Sequence, residues 1–286
     1  IKMKRTGLLQ TAGLIGLIAM ATTATAQDDS QLVVNGEIEM VTDAPAPENI
    51  GGLKTIYSGW RFRQSEMQAL QTDDFENPGA YAIDEGVEMW ATVEGSEGKS
   101  CASCHEDIED SMAGVRAVYP KWNESKGQVM TLAQQINDCR TEQMGAEAWK
   151  YDGGDMTSME AAISLQSRGM PVNVATDGPA ADAWAKGEEM YYTRYGQLEL
   201  SCANCHEDNY DNNIRADHLS QGQINGFPAF RIKTGKLTQT HNRFKGCIRD
   251  TRAETFSPGS DEFVALELYV ASRGNGLSVE APSVRP

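Results

Sequence analysis

Cations are scarce in this 286-residue sequence, with 25 Lys and Arg against 41 Asp and Glu and a formal charge of −16. That imbalance argues against nucleic acid or an anionic membrane surface as the partner and points to a soluble protein with charge-selected partners. Histidine is scarcer still, at four residues, and methionine stops at Met190. After residue 26 no apolar run is long enough for a membrane-spanning helix, which argues against membrane insertion. Residues 1–26 combine Lys2, Lys4 and Arg5, the run GLLQTAGLIGLIAM and a small-residue ATA at 24–26. This is the pattern of a signal peptide, and without a twin arginine the general secretory route and the periplasm are expected. Its removal takes three cations and no acid, leaving a charge of −19. Export permits disulfides, so all six cysteines are read with that possibility open.

Four of those cysteines fall in CASCH (101–105) and CANCH (202–206). C-x-x-C-H is the attachment signal for c-type haem: two thiols bond the porphyrin and the histidine binds iron. The bland reading, a redox dithiol or zinc knuckle followed by a histidine, is hard to sustain for two copies in a chain with so few of either residue. The similarity extends further. Gly86, Glu88, Met89 and Trp90 match Gly187, Glu189, Met190 and Tyr191 at a spacing of 101 residues. After a seven-residue insertion, Tyr119-Pro120 matches Phe227-Pro228, and from there Trp122 pairs with Phe230, Gly127 with Gly235 and Cys139 with Cys247. SRG at 167–169 answers SRG at 272–274. The expected fold is therefore mainly α, two tandem cytochrome c-like haem domains made by internal duplication, with an N-terminal extension. The expected boundaries are a signal peptide over 1–26, the extension over 27–80, domains over 81–170 and 182–286, and a linker over 171–181. Helices are expected over IDEGVEMWATV, ADAWAKGEEMYYTRY, QVMTLAQQINDCR and SDEFVALELYVASRG.

The fifth iron ligands follow from the motifs as His105 and His206. The absence of methionine after Met190 makes methionine ligation of the second haem improbable and leaves His218, His241 and Cys247 as candidates. His218 lies in the insertion and His241 aligns with Ala133, so neither has a counterpart, and both read as surface histidines. Cys139 and Cys247 do correspond, each 19 residues after its proline. His/Cys coordination at both haems is the simpler reading, and a Cys139–Cys247 disulfide remains open. Thiolate ligation would stabilise ferric iron and lower the potential relative to a thioether.

The two copies differ in charge. Residues 231–252 carry seven cations against Asp250 alone, a net of +6, whereas the aligned 123–144 carry a net of −1. Arg243 stands where the first copy has Gln135. If the segment is helical through Gly246, Arg243 lies one turn from Cys247 on the same face. The bland reading is a solvated cationic face. Cations gathered around one cysteine beside a haem favour the alternative, a pocket that lowers a thiol pKa and draws an oxyanion or an acidic partner.

With CASCH, CANCH, Cys139, Cys247 and RFKGC at 243–247, essentially the whole mature chain resembles the SoxA family, the dihaem subunits of the SoxAX complex of bacterial sulfur oxidation. The resemblance implies an L-cysteine S-thiosulfotransferase that joins thiosulfate to a cysteine of the carrier SoxYZ. It implies two covalent c-type haems with His/Cys axial ligation, a heterodimer with the monohaem cytochrome SoxX, and a further electron-accepting cytochrome c. It further implies that Cys247 is both a ligand of the second haem and the active-site cysteine, often carried as a persulfide, and that Arg243 binds substrate. The alternatives are a thiosulfate dehydrogenase forming tetrathionate, which needs no carrier, and a plain dihaem electron carrier, which needs no Arg243. A dihaem peroxidase fits less well, since no free histidine or open iron position is indicated.

Overall fold

The computed structural model describes residues 31–286. The signal-peptide reading of 1–26 falls outside the described residues. The chain begins with two small antiparallel hairpins, β1 (Leu32–Val34) with β2 (Ile38–Met40) and β3 (Asp43–Pro45) with β4 (Thr55–Tyr57). A 3-10 turn over Gly59–Phe62 and a short helix α1 (Ser65–Ala69) follow. These segments are tied to the far end of the chain. The backbone N–H of Val41 donates to Ser278 Oγ at 2.9 Å, Gln71 Nε2 donates to Glu280 Oε2 at 3.1 Å, and the Ser58 hydroxyl bonds Glu280.

The first repeat runs α2 (Ala80–Ala91), α3 (Ala102–His105), α4 (Ile108–Ser111), the hairpin β5 (Lys121–Asn123)–β6 (Gln128–Met130), α5 (Leu132–Gln143) and α6 (Gly154–Leu165). The second runs α7 (Ala181–Tyr192), α8 (Cys202–His206), the hairpin β7 (Asn213–Ile214)–β8 (Asp217–His218) formed by the insertion, the hairpin β9 (Ala229–Arg231)–β10 (Lys236–Thr238), α9 (Thr240–Asp250) and α10 (Asp261–Ser272). The chain ends in β11 (Ser283–Arg285), parallel to β9. The protein is thus mainly α, as two copies of one pattern, and among the described residues no helix is long and apolar enough to cross a membrane.

The segment over 128–140 departs from the expected helix. Gln128–Met130 pairs as a strand, and the helix starts only after Thr131, whose hydroxyl caps Gln134 while Gln134 returns a bond to the Thr131 backbone. The capping box marks the true start, and Val129 is a strand residue. The two SRG triplets are also not equivalent. Arg273 caps the C-terminus of α10, the place that Gln166 takes at the end of α6, whereas Arg168 lies two residues further on and pairs with Asp74.

In each repeat the helix entering the haem motif packs on the last helix, α2 on α6 and α7 on α10. The matched glycines sit at these crossings. A Cβ on Gly86 would clash with the Ser158 carbonyl, and one on Gly187 with the Ala265 carbonyl and the Tyr269 Cβ. Gly187→Val is therefore expected to destabilise the haem-loaded protein by about 2 kcal/mol through overpacking, read as a lower unfolding midpoint. Valine is the informative choice, because alanine would recover up to about 1 kcal/mol of helix propensity.

The hairpins cross between the repeats. Val129 and Trp122 of the first hairpin pack into the apolar cluster built on Phe263, Leu268 and Tyr269, and Leu237 of the second packs against that built on Met156, Met159 and Trp90. The segment between the repeats is drawn into the same core: Val172 and Val174 are 8 % and 2 % exposed, and the Val172 N–H donates to the Leu277 carbonyl at 2.8 Å.

Candidate functional site

The two haem motifs lie on the short helices α3 and α8, where a C-x-x-C spacing sets two thiols one turn apart and the next residue is the histidine. In the first repeat Cys101 is half-buried while Cys104 and His105 are exposed along α3. The His105 ring lies 5.8 Å from the Trp90 ring, and Trp90 is itself fixed by donating Nε1–H to the Glu106 carbonyl at 2.9 Å. Cys139 approaches from α5, and the Gln135 amide donates to its sulfur at 3.6 Å. Burial raises the Cys101 thiol, Arg140 opposes it, and the charge of Cys139 adds to it, so the two sulfurs share one neighbourhood.

The second site is more tightly set. His206 Nδ1 is 2.7 Å from the Ser220 carbonyl. A carbonyl only accepts, so the proton sits on Nδ1 and the Nε2 lone pair is left for a metal. Gly222, at φ +76°, lies so close under this ring that a Cβ would be 2.8 Å from it. Helix α9 runs unbroken through Gly246, so Arg243 does lie one turn before Cys247. Cys247 is half-buried, and its sulfur lies within the electrostatic reach of both His206 and Arg243. Burial pushes this thiol up, but Arg243 and His206 together outweigh burial and bring it down to about 7. Cys202 and Cys205 move the other way: burial and the neighbouring Cys247 raise both, Cys202 to about 12. Cys202, Cys205, His206, Cys247 and Arg243 are therefore one constellation, and Cys101, Cys104, His105 and Cys139 form its counterpart. None of the six cysteines is bonded to another, and Cys139 and Cys247 face different motifs.

The candidate histidines behave differently. His218 is partly exposed and its Nε2 lies 2.9 Å from Asp211 Oδ1. His241 is not a surface residue. It is fully buried, stacked on Tyr151 with ring centroids 4.8 Å apart and held by Glu267 at 3.0 Å. The short polar stretch around it gave no hint that Tyr151 from the other repeat covers it.

The basic character of the second site is larger than the RFKGC stretch. Arg231 ends β9, Arg285 lies beside it in the parallel register of β11, and Arg63 comes from the N-terminal extension. Burial lowers the pKa of Arg231, with Arg243 as the next cause; burial and then Arg285 lower that of Arg63 to about 10, with Arg231 and Arg243 adding to it. Four guanidiniums thus crowd one region. Arg285 is paired with Glu280 and Arg63 donates to the His218 carbonyl, but the buried Nε of Arg231 has no hydrogen-bond partner. The first repeat shows what this arrangement replaces. There the aligned Asn123 and Gln135 hydrogen-bond to each other at 3.0 Å, a neutral, self-satisfied pair. Arg231 and Arg243 at the same two positions repel, cannot bond to each other as the amides do, and together favour an anion between them.

The donor sets fit c-type haem. Each motif offers two thiols and a histidine on one helical turn, a third sulfur approaches from the facing helix, and at His206 the anchored Nδ1 presets the nitrogen that a metal would take.

A family model for the SoxA/TsdA cytochrome c domain matches residues 85–172 and again 186–279. The chain belongs to the SoxA/TsdA cytochrome c family. SoxA proteins are among its relatives in that family. It is 58 % identical over 283 residues to the L-cysteine S-thiosulfotransferase subunit SoxA of Rhodovulum sulfidophilum, covering 98 % of each chain. It is 56 % identical over 252 residues to the SoxA subunit of Paracoccus pantotrophus, covering 88 % of this chain and 87 % of that protein. The crystal structure of SoxXA from P. pantotrophus superposes with a TM-score of 0.87 at 54 % identity, over 91 % of this chain and 99 % of that one. Family membership makes this chain a c-type cytochrome with covalently bound haem.

Proposed function

We propose that this chain is an L-cysteine S-thiosulfotransferase subunit that conjugates thiosulfate to a cysteine of the carrier SoxYZ. We propose further that it works in the periplasm as a heterodimer with SoxX, carries a haem at each motif, and passes electrons on to a cytochrome c. The observation that carries the reading is the replacement of Asn123–Gln135 by Arg231–Arg243: the second repeat, beside Cys247, is built for a multiply charged anion. The identities of 49–58 % to SoxA subunits support the same assignment.

Covalently bound haem supplies a one-electron acceptor at each site. Arg243, one turn from Cys247, holds the sulfonate end and aims the outer sulfur of thiosulfate at Cys247. The Cys247 thiolate and the thiosulfate dianion join in an S–S bond, giving a Cys247 S-thiosulfonate and two electrons. The carrier thiolate then attacks its outer sulfur, forming the carrier S–S bond and releasing Cys247 as thiolate. The depressed pKa of Cys247 suits both the attacking and the leaving role. His206, with Nδ1 anchored on the Ser220 carbonyl, and Cys247 from α9 would hold the haem of this site. The first site, whose amide pair is already satisfied, has no equivalent anion pocket, and its part is electron transfer.

Incubation with thiosulfate, reduced carrier and oxidised cytochrome c is expected to add one S-thiosulfonate to the carrier cysteine, read by intact mass, with two electrons per adduct. Tetrathionate formed at the same rate without carrier would overturn the assignment.

A further inference from the structure

Two carboxylates lie where the repeats meet, and the reaction above does not use them. Glu160 of α6 and Glu267 of α10 occupy the same place in the two copies, each two residues after the carbonyl that crowds a crossing glycine, Ser158 and Ala265 respectively. Glu267 is buried and Glu160 partly so. Among the described residues the only permanent cation facing them is Arg116, 9 % exposed, with Nη1 3.9 Å from Glu267 and its other side-chain bonds made to the carbonyls of Tyr119 and Phe227. His241 faces Glu267 with Nε2 at 3.0 Å, and its Nδ1 accepts the Gly259 N–H at 2.9 Å, which leaves Nε2 as the ring's N–H. Gln239 donates its amide to Glu160, and Tyr151, whose hydroxyl is 2.8 Å from Thr131, covers His241. Two carboxylates against one guanidinium leave a negative charge in a low-dielectric place, and one bound proton cancels it. Burial, reinforced by Glu267, accordingly raises Glu160 to about 8, against Arg116 and Gln239.

The cluster also sits symmetrically between the two sites. Gln239 is the N-cap of α9 and Thr131 that of α5, and Cys247 and Cys139 each lie eight residues further along their helix. At 1.5 Å per residue that is about 12 Å along the helix from either cap, which the cluster touches, to its cysteine. At such a distance and an effective dielectric constant of about 20, one added electron changes the proton affinity of the pair by about one pH unit.

We propose that Glu160 and Glu267 form a redox-linked proton site, which binds a proton when an electron enters the adjacent sites and releases it when the electron leaves. The inference rests on the two-haem reading above. The electrons come from the joining of thiosulfate to thiolate, the proton comes from solvent, and the one bond made is O–H on a carboxylate. On transfer to the partner cytochrome the O–H bond breaks and the proton returns to solvent. A proton held between the sites raises the electron affinity of both. The first electron therefore eases entry of the second, which a two-electron reaction feeding two one-electron sites requires.

The test is a spectroelectrochemical titration of the haem-loaded protein between about pH 6 and pH 9, the range of a strongly raised carboxylic acid. In the unmodified protein both midpoint potentials are expected to fall as pH rises. In Glu160→Gln, which mimics the protonated acid, that fall is expected to disappear at both sites with unchanged haem spectra. An unchanged slope in Glu160→Gln would overturn the proton site. A mass showing one haem would instead overturn the two-haem reading, so the two failures are distinguishable. Should Glu160→Gln not load haem, redox-difference infrared spectra of the unmodified protein decide. Reduction is expected to produce a carboxylic acid band that shifts in D2O, and its absence would sink the proposal.

Discussion

Replacing Cys247 by alanine is expected to abolish conjugation, a loss of more than about 1,000-fold, while both haems stay attached. Attachment at the second site depends on Cys202 and Cys205, which lie on a different helix from Cys247. Only the second site's absorption and paramagnetic resonance spectra should change, because Cys247 is coupled to Cys202, Cys205 and His206 of the second motif. Cys139→Ala supplies the converse. It should alter the first site's spectra and leave conjugation largely intact, since Cys139 contacts Gln135 and has no guanidinium pair beside it. Carrier adduct measured by mass, with the haem spectra recorded on the same samples, separates the two outcomes. Retained conjugation in Cys247→Ala would remove the cysteine from the chemistry.

The haem motifs and the paired Cys139 and Cys247 were legible because covalent attachment and ligation fix residue type and spacing together, leaving a pattern that survives duplication. Gly86 and Gly187 were legible as a match, though not as helix crossings, since the neighbour that forbids a side chain comes from a helix some 70 residues away in sequence. Other features left no local trace. Gln128–Met130 is too short an apolar run to separate strand from helix, and only the cap at Thr131 divides them. The SRG triplets matched as letters but are offset by two residues at the helix ends, where chain termination, and not triplet identity, sets the place of Arg273. Arg63 and Arg285 join the second site from the N-terminal extension and the last strand, Arg63 by donating to the His218 carbonyl and Arg285 by a parallel pairing that no periodicity reveals. His241 became a core residue only because the repeats pack face to face and Tyr151 of one covers the helix of the other. Sequence therefore revealed the chemistry that repeats within each copy, and missed what arises between copies.

Arg243→Gln gives the second site the side chain that the first has at Gln135, and it is expected to weaken thiosulfate use by about 2–3 kcal/mol, or roughly 30- to 150-fold in kcat/KM. Both haems should remain bound, because Arg243 contacts no attachment residue through a hydrogen bond or ion pair. The effect is expected to depend on Arg231. With either guanidinium gone, the other can still hold one end of the anion, so each single replacement, Arg243→Gln or Arg231→Asn, should cost less than the double. The double replacement restores the amide pair that the first repeat closes at 3.0 Å, and that pair should bond to itself and ignore the anion. Its loss should therefore exceed the sum of the two single losses, whereas independent surface charges would add. Measurements belong at two salt concentrations, since steering of an acidic carrier by the surrounding Lys233, Lys236 and Lys245 fades as ionic strength rises and a contact to bound thiosulfate fades far less. If Arg243→Gln keeps full activity at both, the guanidinium pair holds no substrate, and the basic strip serves only to dock the carrier.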